Sequence, residues 1–118
     1  MRIGILDQKN FSKEVLKGLN KLGEVSFYEG DEVSSFCSNK KIIFVRLNIH
    51  FNSKLLEECK QLKFICTPTT GLNHIDLDYC KSAGIRIISL KGEREFLRSI
   101  RATPEHTLGL ILSLLRQY

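Results

Sequence analysis

Apolar residues along the chain fall into short β-branched runs, separated by segments in which they recur every three or four positions. Continuous or alternating apolar runs of four to six residues read as strands, and the longer spacing reads as helices with one buried stripe. The runs predict strands at Arg2 to Leu6, Glu24 to Tyr28, Lys41 to Arg46, Lys63 to Cys66 and Ile85 to Ser89. Ile42-Ile43-Phe44-Val45 and Phe64-Ile65-Cys66 are apolar without alternation, as in strands covered on both faces, so these two are expected in the middle of the sheet. Helices are predicted at Ser12 to Leu22, Ser53 to Gln61 and Asp76 to Ala83. In the first, Phe11, Val15, Leu19 and Leu22 share a face and Ser12 is placed to cap. Gly23 and Gly84 each sit just past a helix, in the left-handed stop position that glycine fills without steric cost. Strand and helix alternate throughout, which is the signature of βα units building a five-stranded parallel sheet of the α/β class with helices on both faces.

Two segments are less regular. Asp31 to Asn39 is polar and allows one helical turn at most, and Lys91 to Arg101 is a charged candidate linker whose Phe96, Leu97 and Ile100 argue that it packs. Thr103-Pro104-Glu105 then places a hydroxyl at a cap, proline at the first helical position and an acid in the first turn. A helix is expected from Pro104 to about Tyr118. Its Leu108, Ile111, Leu112 and Leu115 form one apolar stripe, and Leu110 and Leu114 form a second. Only one stripe can face this chain's own sheet, so the other implies a homodimer through this C-terminal helix or a second domain.

Composition narrows the class. A chain of 118 residues builds one core. The formal charge of +5 is scattered and never forms a run of one sign, and no Arg is interleaved with aromatics, so neither charge nor pattern supports nucleic-acid binding. No apolar stretch approaches the roughly 20 residues of a membrane span, and the first apolar run is too short for a signal-peptide core, which predicts a cytoplasmic protein. Cys37, Cys59, Cys66 and Cys80 lack Cys-x-x-Cys spacing and lie in apolar segments; they read as buried, reduced thiols, with no metal site.

Three stretches, in order, carry a resemblance. Leu62-Lys63-Phe64-Ile65 leads to Gly71-Leu72-Asn73-His74-Ile75-Asp76; Gly84-Ile85-Arg86-Ile87-Ile88 follows as a strand; Glu105-His106-Thr107 opens a leucine-rich helix ending in Leu114-Leu115-Arg116. Together these resemble the N-terminal, substrate-binding domain of the D-isomer-specific 2-hydroxyacid dehydrogenases, phosphoglycerate dehydrogenase-like enzymes included. The middle stretch is similar to that family's Gly-x-Asp-Asn-Ile-Asp signature and the last to its Ala-Glu-His-Thr helix start. Val45-Arg46 also matches the family's habit.

The resemblance implies a flavodoxin-like domain over residues 1 to 102, and residues 103 to 118 as an interdomain helix leading to a Rossmann domain that is missing here. It also implies NAD as cofactor, held by a Gly-x-Gly-x-x-Gly turn. No two of the eight glycines are separated by one residue, and the family's catalytic Arg, Glu and His fall downstream of Tyr118. No catalytic residue is therefore assigned, and the chain alone is expected to be inactive. Reduction of a 2-oxo acid needs a hydride donor, an acid for the carbonyl oxygen and donors that fix the carboxylate. Carboxylate fixing is the part expected here, from backbone N–H groups of Thr69, Thr70 and Gly71 after the fourth strand and from the Arg46 fork after the third. The family has a second glycine where this chain has Thr69. Thr103 and Thr107 match positions near the nicotinamide end of the cofactor.

Other polar residues have plainer readings. His74 and His106 read as structural, His50 has no visible partner, Asp76 caps the helix that follows, and Asn73 suits a left-handed turn. Two alternatives belong to other classes. A phosphoacceptor receiver would use Asp7 and Lys91, but Arg46 stands where its acceptor aspartate belongs; a non-catalytic α/β binding or assembly module remains open.

Overall fold

Residues 1–117 are described by a computed structural model. Strands β1 (Arg2–Ile5), β2 (Glu24–Phe27), β3 (Ile42–Phe44), β4 (Phe64–Cys66) and β5 (Arg86–Ile88) form one sheet in the order β2-β1-β3-β4-β5, with every pair parallel. This is the flavodoxin-like order, with the switch in direction between β1 and β3. Helices α1 (Lys13–Leu22), α2 (Val33–Cys37), α3 (Ser53–Glu58) and α4 (Leu77–Ala83) make the crossovers, and α5 (Arg94–Ser99) and α6 (Ala102–Arg116) follow β5.

The register sorts the sheet into two faces. Ile43, Ile65 and Ile87 align across β3, β4 and β5 and pack under α2, α3 and α4, where Cys37, Leu56, Cys59 and Cys80 complete a buried cluster. A close approach holds this side together at β1: a Cβ on Gly4 would lie 2.8 Å from the Phe36 ring of α2. On the opposite face, Leu16 and Leu19 of α1, with Phe11 just before it, cover Ile3 and Ile5. The next residues in that row are Phe44 and Cys66, both half-buried, and then Ile88, 55% exposed. The expectation that both middle strands are covered on both faces therefore holds on one side only.

Caps fall largely where hydroxyl, amide and carboxylate side chains can reach orphan N–H groups. Ser12 accepts from Val15 N, Asn52 from Leu55 N and Asp76 from Tyr79 N, at 3.4, 2.9 and 3.0 Å. Gly84 adopts the left-handed stop at φ 74°. Gly23 does not; its φ of 178° is extended, and glycine is required there because a side chain would run into the Met1 carbonyl. Asn73 is not left-handed either, the non-glycine residues with positive φ among the described residues being Asn10 and Gln117.

Boundaries shift where pattern alone is blind to hydrogen bonding. Strands end sooner than their apolar runs, and α3 stops at Glu58 because Cys59 turns its N–H onto Leu56 O. The polar segment before β3 holds α2, and the charged one after β5 holds α5, whose Phe96 is 53% exposed. The last helix starts at Ala102, so Thr103 lies inside it and caps nothing. Pro104 still fits, since the first-turn N–H groups have no helical acceptor. Gln117 closes this helix in the left-handed region, and the predicted end at Tyr118 lies outside the described residues. Cys66 is half-buried, unlike the other three thiols.

The expectation that one stripe of the last helix faces the sheet fails. No residue of α6 is buried, and Leu108, Leu110, Ile111, Leu112, Leu114 and Leu115 are all exposed. The radius of gyration, 17.5 Å, exceeds the roughly 13.5 Å of a compact chain of this length because α6 stands away from the body.

Replacing Ile43, fully buried, with Ala is expected to lower stability by about 2–5 kcal/mol, whereas Ile88→Ala should cost under about 1 kcal/mol, since its side chain is half in water already. Urea unfolding of the two variants reads the difference.

Candidate functional site

Open α/β sheets bind ligands outside the carboxyl ends of their strands. There, Asp7 after β1, Val45 and Arg46 after β3, Thr67 and Pro68 after β4, and Ser89 and Leu90 after β5 wall a cleft of about 360 Å³, closed on one side by Phe11, Ser12 and Val15. Its walls are mainly carbon, with Arg46 the cation among them.

Arg46 is half-buried and held in place. One guanidinium nitrogen donates to the Lys9 carbonyl at 2.9 Å, and another stands 3.7 Å from the Asp7 carboxylate. The ion pair is partly solvated, so its energetic worth is about 1 kcal/mol or less; it sets direction more than strength. A guanidinium carries five N–H donors, and these two contacts leave several for a ligand.

The loop after β4 is set by a chain of hydroxyls. Thr69 Oγ1 donates to the Gly71 carbonyl at 2.8 Å, so it accepts from Thr67 Oγ1 at 3.0 Å, and Thr67 in turn accepts from His74 Nε2 at 3.4 Å. One proton per hydroxyl fixes this direction. It places the His74 proton on Nε2 and leaves Nδ1, which is buried and has no partner among the described residues, as a bare acceptor. Burial first, and the nearby His50 second, push the His74 pKa below its ordinary value, so the ring stays neutral. The same loop is tied to the segment after β5 by Leu90 N–H donating to Thr69 O at 3.1 Å and by Thr67 N–H donating to Ile88 O at 2.9 Å. The backbone N–H groups of Thr69, Thr70 and Gly71 donate to no group among the described residues.

The sequence-predicted residues are thus only partly gathered. Arg46 shares the cleft with Thr67 and Pro68; Thr69, Thr70 and Gly71 come next along the chain, just outside its walls. Thr103 and Thr107 sit apart on exposed α6, where Thr107 Oγ1 donates to Thr103 O at 2.9 Å. His106 is exposed on the same helix. The His74–Thr67–Thr69 chain was not legible in advance, although a Thr-x-Thr pair at a strand end with a histidine five residues on is a signal that could have found it. Cys66, at the cleft floor, is pushed up to about 11 by burial and stays a protonated thiol. Among the described residues no three His, Cys, Asp or Glu side chains meet to hold a metal, and no helix is long and apolar enough to cross a membrane. These residues do not by themselves fit NAD: a pyrophosphate needs a glycine turn opening onto a helix, and α6 opens on Arg101 and Ala102.

A five-stranded parallel sheet in this order, with helices on its faces, defines a flavodoxin-like α/β domain. Residues 3–94 match the family described as D-isomer specific 2-hydroxyacid dehydrogenase, catalytic domain, and the chain belongs to that family. It is 34% identical over 94 residues to erythronate-4-phosphate dehydrogenase of Bacteroides thetaiotaomicron, covering 78% of this chain and 26% of that one. Among solved structures it is similar to the PH0520 protein of Pyrococcus horikoshii, with 26% identity, a TM-score of 0.72, and coverage of 98% of this chain and 34% of that one. The fold is shared with D-lactate dehydrogenase of Aquifex aeolicus complexed with NAD and lactic acid, at 24% identity, TM-score 0.71, and coverage of 97% and 33%. The chain spans about a quarter to a third of the length of these proteins.

The buried neutral His74 carries a pH consequence. Its folded pKa lies below the ordinary 6.5, so the unfolded chain takes up a proton that the folded chain refuses. Stability is therefore expected to be full above about pH 7 and to fall as pH drops through the ordinary histidine range, while His74→Gln flattens that part of the curve. Thermal unfolding of both proteins between pH 7.5 and 5 is the measurement, in the range where histidine titrates.

Proposed function

We propose that this chain is the substrate-binding part of an NAD-dependent, cytoplasmic oxidoreductase that passes a hydride between the nicotinamide and a small 2-hydroxy or 2-oxo acid. The observation that carries the reading is a row of three unengaged backbone donors, Thr69, Thr70 and Gly71, on the strand end next to Arg46, in a chain of this family. A carboxylate offers two oxygens and four lone-pair directions, which suits successive N–H groups on one side and a guanidinium fork on the other. The hydroxyl chain from His74 holds the loop in shape, and the Arg46 contacts to Asp7 and Lys9 aim the fork. Thr69 replaces a more open residue, and its hydroxyl is turned back onto the Gly71 carbonyl, which leaves its N–H free.

Hydride donor and proton donor come from outside these 118 residues. NAD supplies the hydride when bound, and Thr103 and Thr107 of α6 lie toward its nicotinamide end in the whole enzyme. Four unpaired thiols suit a reducing compartment. The chain associates as a homodimer through α6, whose apolar side chains are exposed along its length. Leaving several leucines in water forgoes about 1.5–3 kcal/mol each relative to full burial.

Titration of the isotope-labelled chain with pyruvate or D-lactate is expected to shift the amide signals of Thr69, Thr70 and Gly71, and Arg46→Gln should weaken that binding by about tenfold or more, the worth of a charged hydrogen bond. Saturating ligand with no response at these amides would sink the assignment. Calorimetry should find no micromolar affinity for NAD, and no 2-oxo acid should be turned over by the chain alone. Light scattering at tens of micromolar should report a dimer.

A further inference from the structure

The apolar part of the ligand cleft has a direction and a length. Phe44, Cys66 and Ile88 stand in register across β3, β4 and β5, and each precedes by two residues the position, Arg46, Pro68 or Leu90, that its strand adds to the rim. At about 3.3 Å per residue, this carbon floor lies about 7 Å down the strands from Arg46. Phe11 and Val15 wall the same space from the α1 side. Val15 and Ile88 are 45% and 55% exposed, so both have apolar surface still to bury. The charge of the lining is just as specific. Asp7 is the one acid and Arg46 the one cation among the lining residues, and they stand 3.7 Å apart.

We propose that this cleft takes a 2-oxo or 2-hydroxy acid with a single carboxylate and a branched or aromatic hydrocarbon side chain, which lies along Phe44, Cys66 and Ile88. The proposal rests on the carboxylate reading above and adds to it the class of side chain. Dimensions favour the fit. Arg46 and the loop after β4 follow neighbouring strands, about 5 Å apart, so the acid group is held at the rim. The rest of the molecule then runs down the floor, where about five bonds of about 1.5 Å each cover the 7 Å to the Phe44 row. Pyruvate is too short to reach it. Its six heavy atoms also fill at most about half of a cleft of about 360 Å³, counting about 30 Å³ for each water-sized group.

The same lining selects against a second anionic group. Asp7 already offsets part of the Arg46 charge, and what remains faces the first carboxylate. A phosphate or a second carboxylate at the far end of the ligand would lie on the side chains of Phe44, Val15 and Ile88, with no cation in the walls to pair it. Burying an unpaired charge against carbon is costly, whereas burying a methyl group there is favourable. Hydrocarbon is therefore the side chain that this floor rewards, and chain length alone is not enough.

The experiment titrates the isotope-labelled chain with four acids: pyruvate, 4-methyl-2-oxopentanoate, phenylpyruvate and 2-oxoglutarate. The branched and aromatic acids should bind at least about tenfold more tightly than pyruvate, since each buried methylene is worth about fourfold in affinity. They should shift the methyl signals of Val15 and Ile88 together with the amides of Thr69, Thr70 and Gly71. The diacid, of similar length but charged at both ends, should bind no more tightly than pyruvate. Ile88→Ser, at a position already half in water, should lower the preference for 4-methyl-2-oxopentanoate over pyruvate by about threefold or more, and Val15→Ser repeats the measurement from the opposite wall. Circular dichroism verifies that both variants fold. Equal affinities for all four acids, or tightest binding of the diacid, would overturn the side-chain assignment and leave the carboxylate site standing. An unchanged preference in both variants would also overturn it. Methyl shifts without amide shifts, or no response to any acid, would overturn both readings.

Discussion

A parallel sheet has to be covered on both faces, and everything distinctive in this molecule follows from meeting that requirement on one face and half of the other. Helices α2, α3 and α4 bury Ile43 and Ile65 fully and Ile87 in part, and this side supplies the core. On the other side α1 reaches only as far as β1 and its nearest neighbours. The remaining apolar row ends in water, and so does the apolar helix that follows it. Sheet and helix therefore share one feature, apolar surface left in water.

That constraint also shapes the ligand-facing end. Because α1 begins beside the cleft, Phe11 and Val15 wall it with carbon, while the strand ends contribute Arg46 and the loop after β4. The cation is held by Asp7 and Lys9, and the loop by a histidine whose charge is suppressed by burial. Arg46 and the loop after β4 are thus held in set positions at the strand ends.

Much of this was legible from spacing. Continuous apolar runs located the inner strands, and Ser12 and Asp76 mark helix starts because each side chain accepts from an N–H three residues on; Asn52 does the same for α3 without having been singled out. The boundaries that moved did so through interactions that a pattern does not encode. Cys59 closes α3 early by a backbone bond to Leu56, and Gly23 is demanded by the Met1 carbonyl and not by a helix stop. At the site, Arg46 and the Thr69 to Gly71 loop could be named from their places at strand ends. The relay through Thr67 to His74 was not named, since it depends on a side chain of the loop before α4 returning to the end of the strand behind it. The outcome for α6 was half legible: leucine spacing revealed an excess of apolar surface, and only the coordinates showed that all of it is exposed.

The bond from Leu90 N–H to Thr69 O joins the ligand loop to the stretch through which the chain leaves the sheet toward α5 and α6. Backbone bonds of this kind act as stiff struts over a few ångströms. A displacement at Leu90 reaches Thr69 across one hydrogen bond, and Gly71 is linked to the same point through the Thr69 hydroxyl. The loop after β4 and the exit from the sheet are thereby tied as one unit, by Leu90 to Thr69 as well as by Thr67 to Ile88.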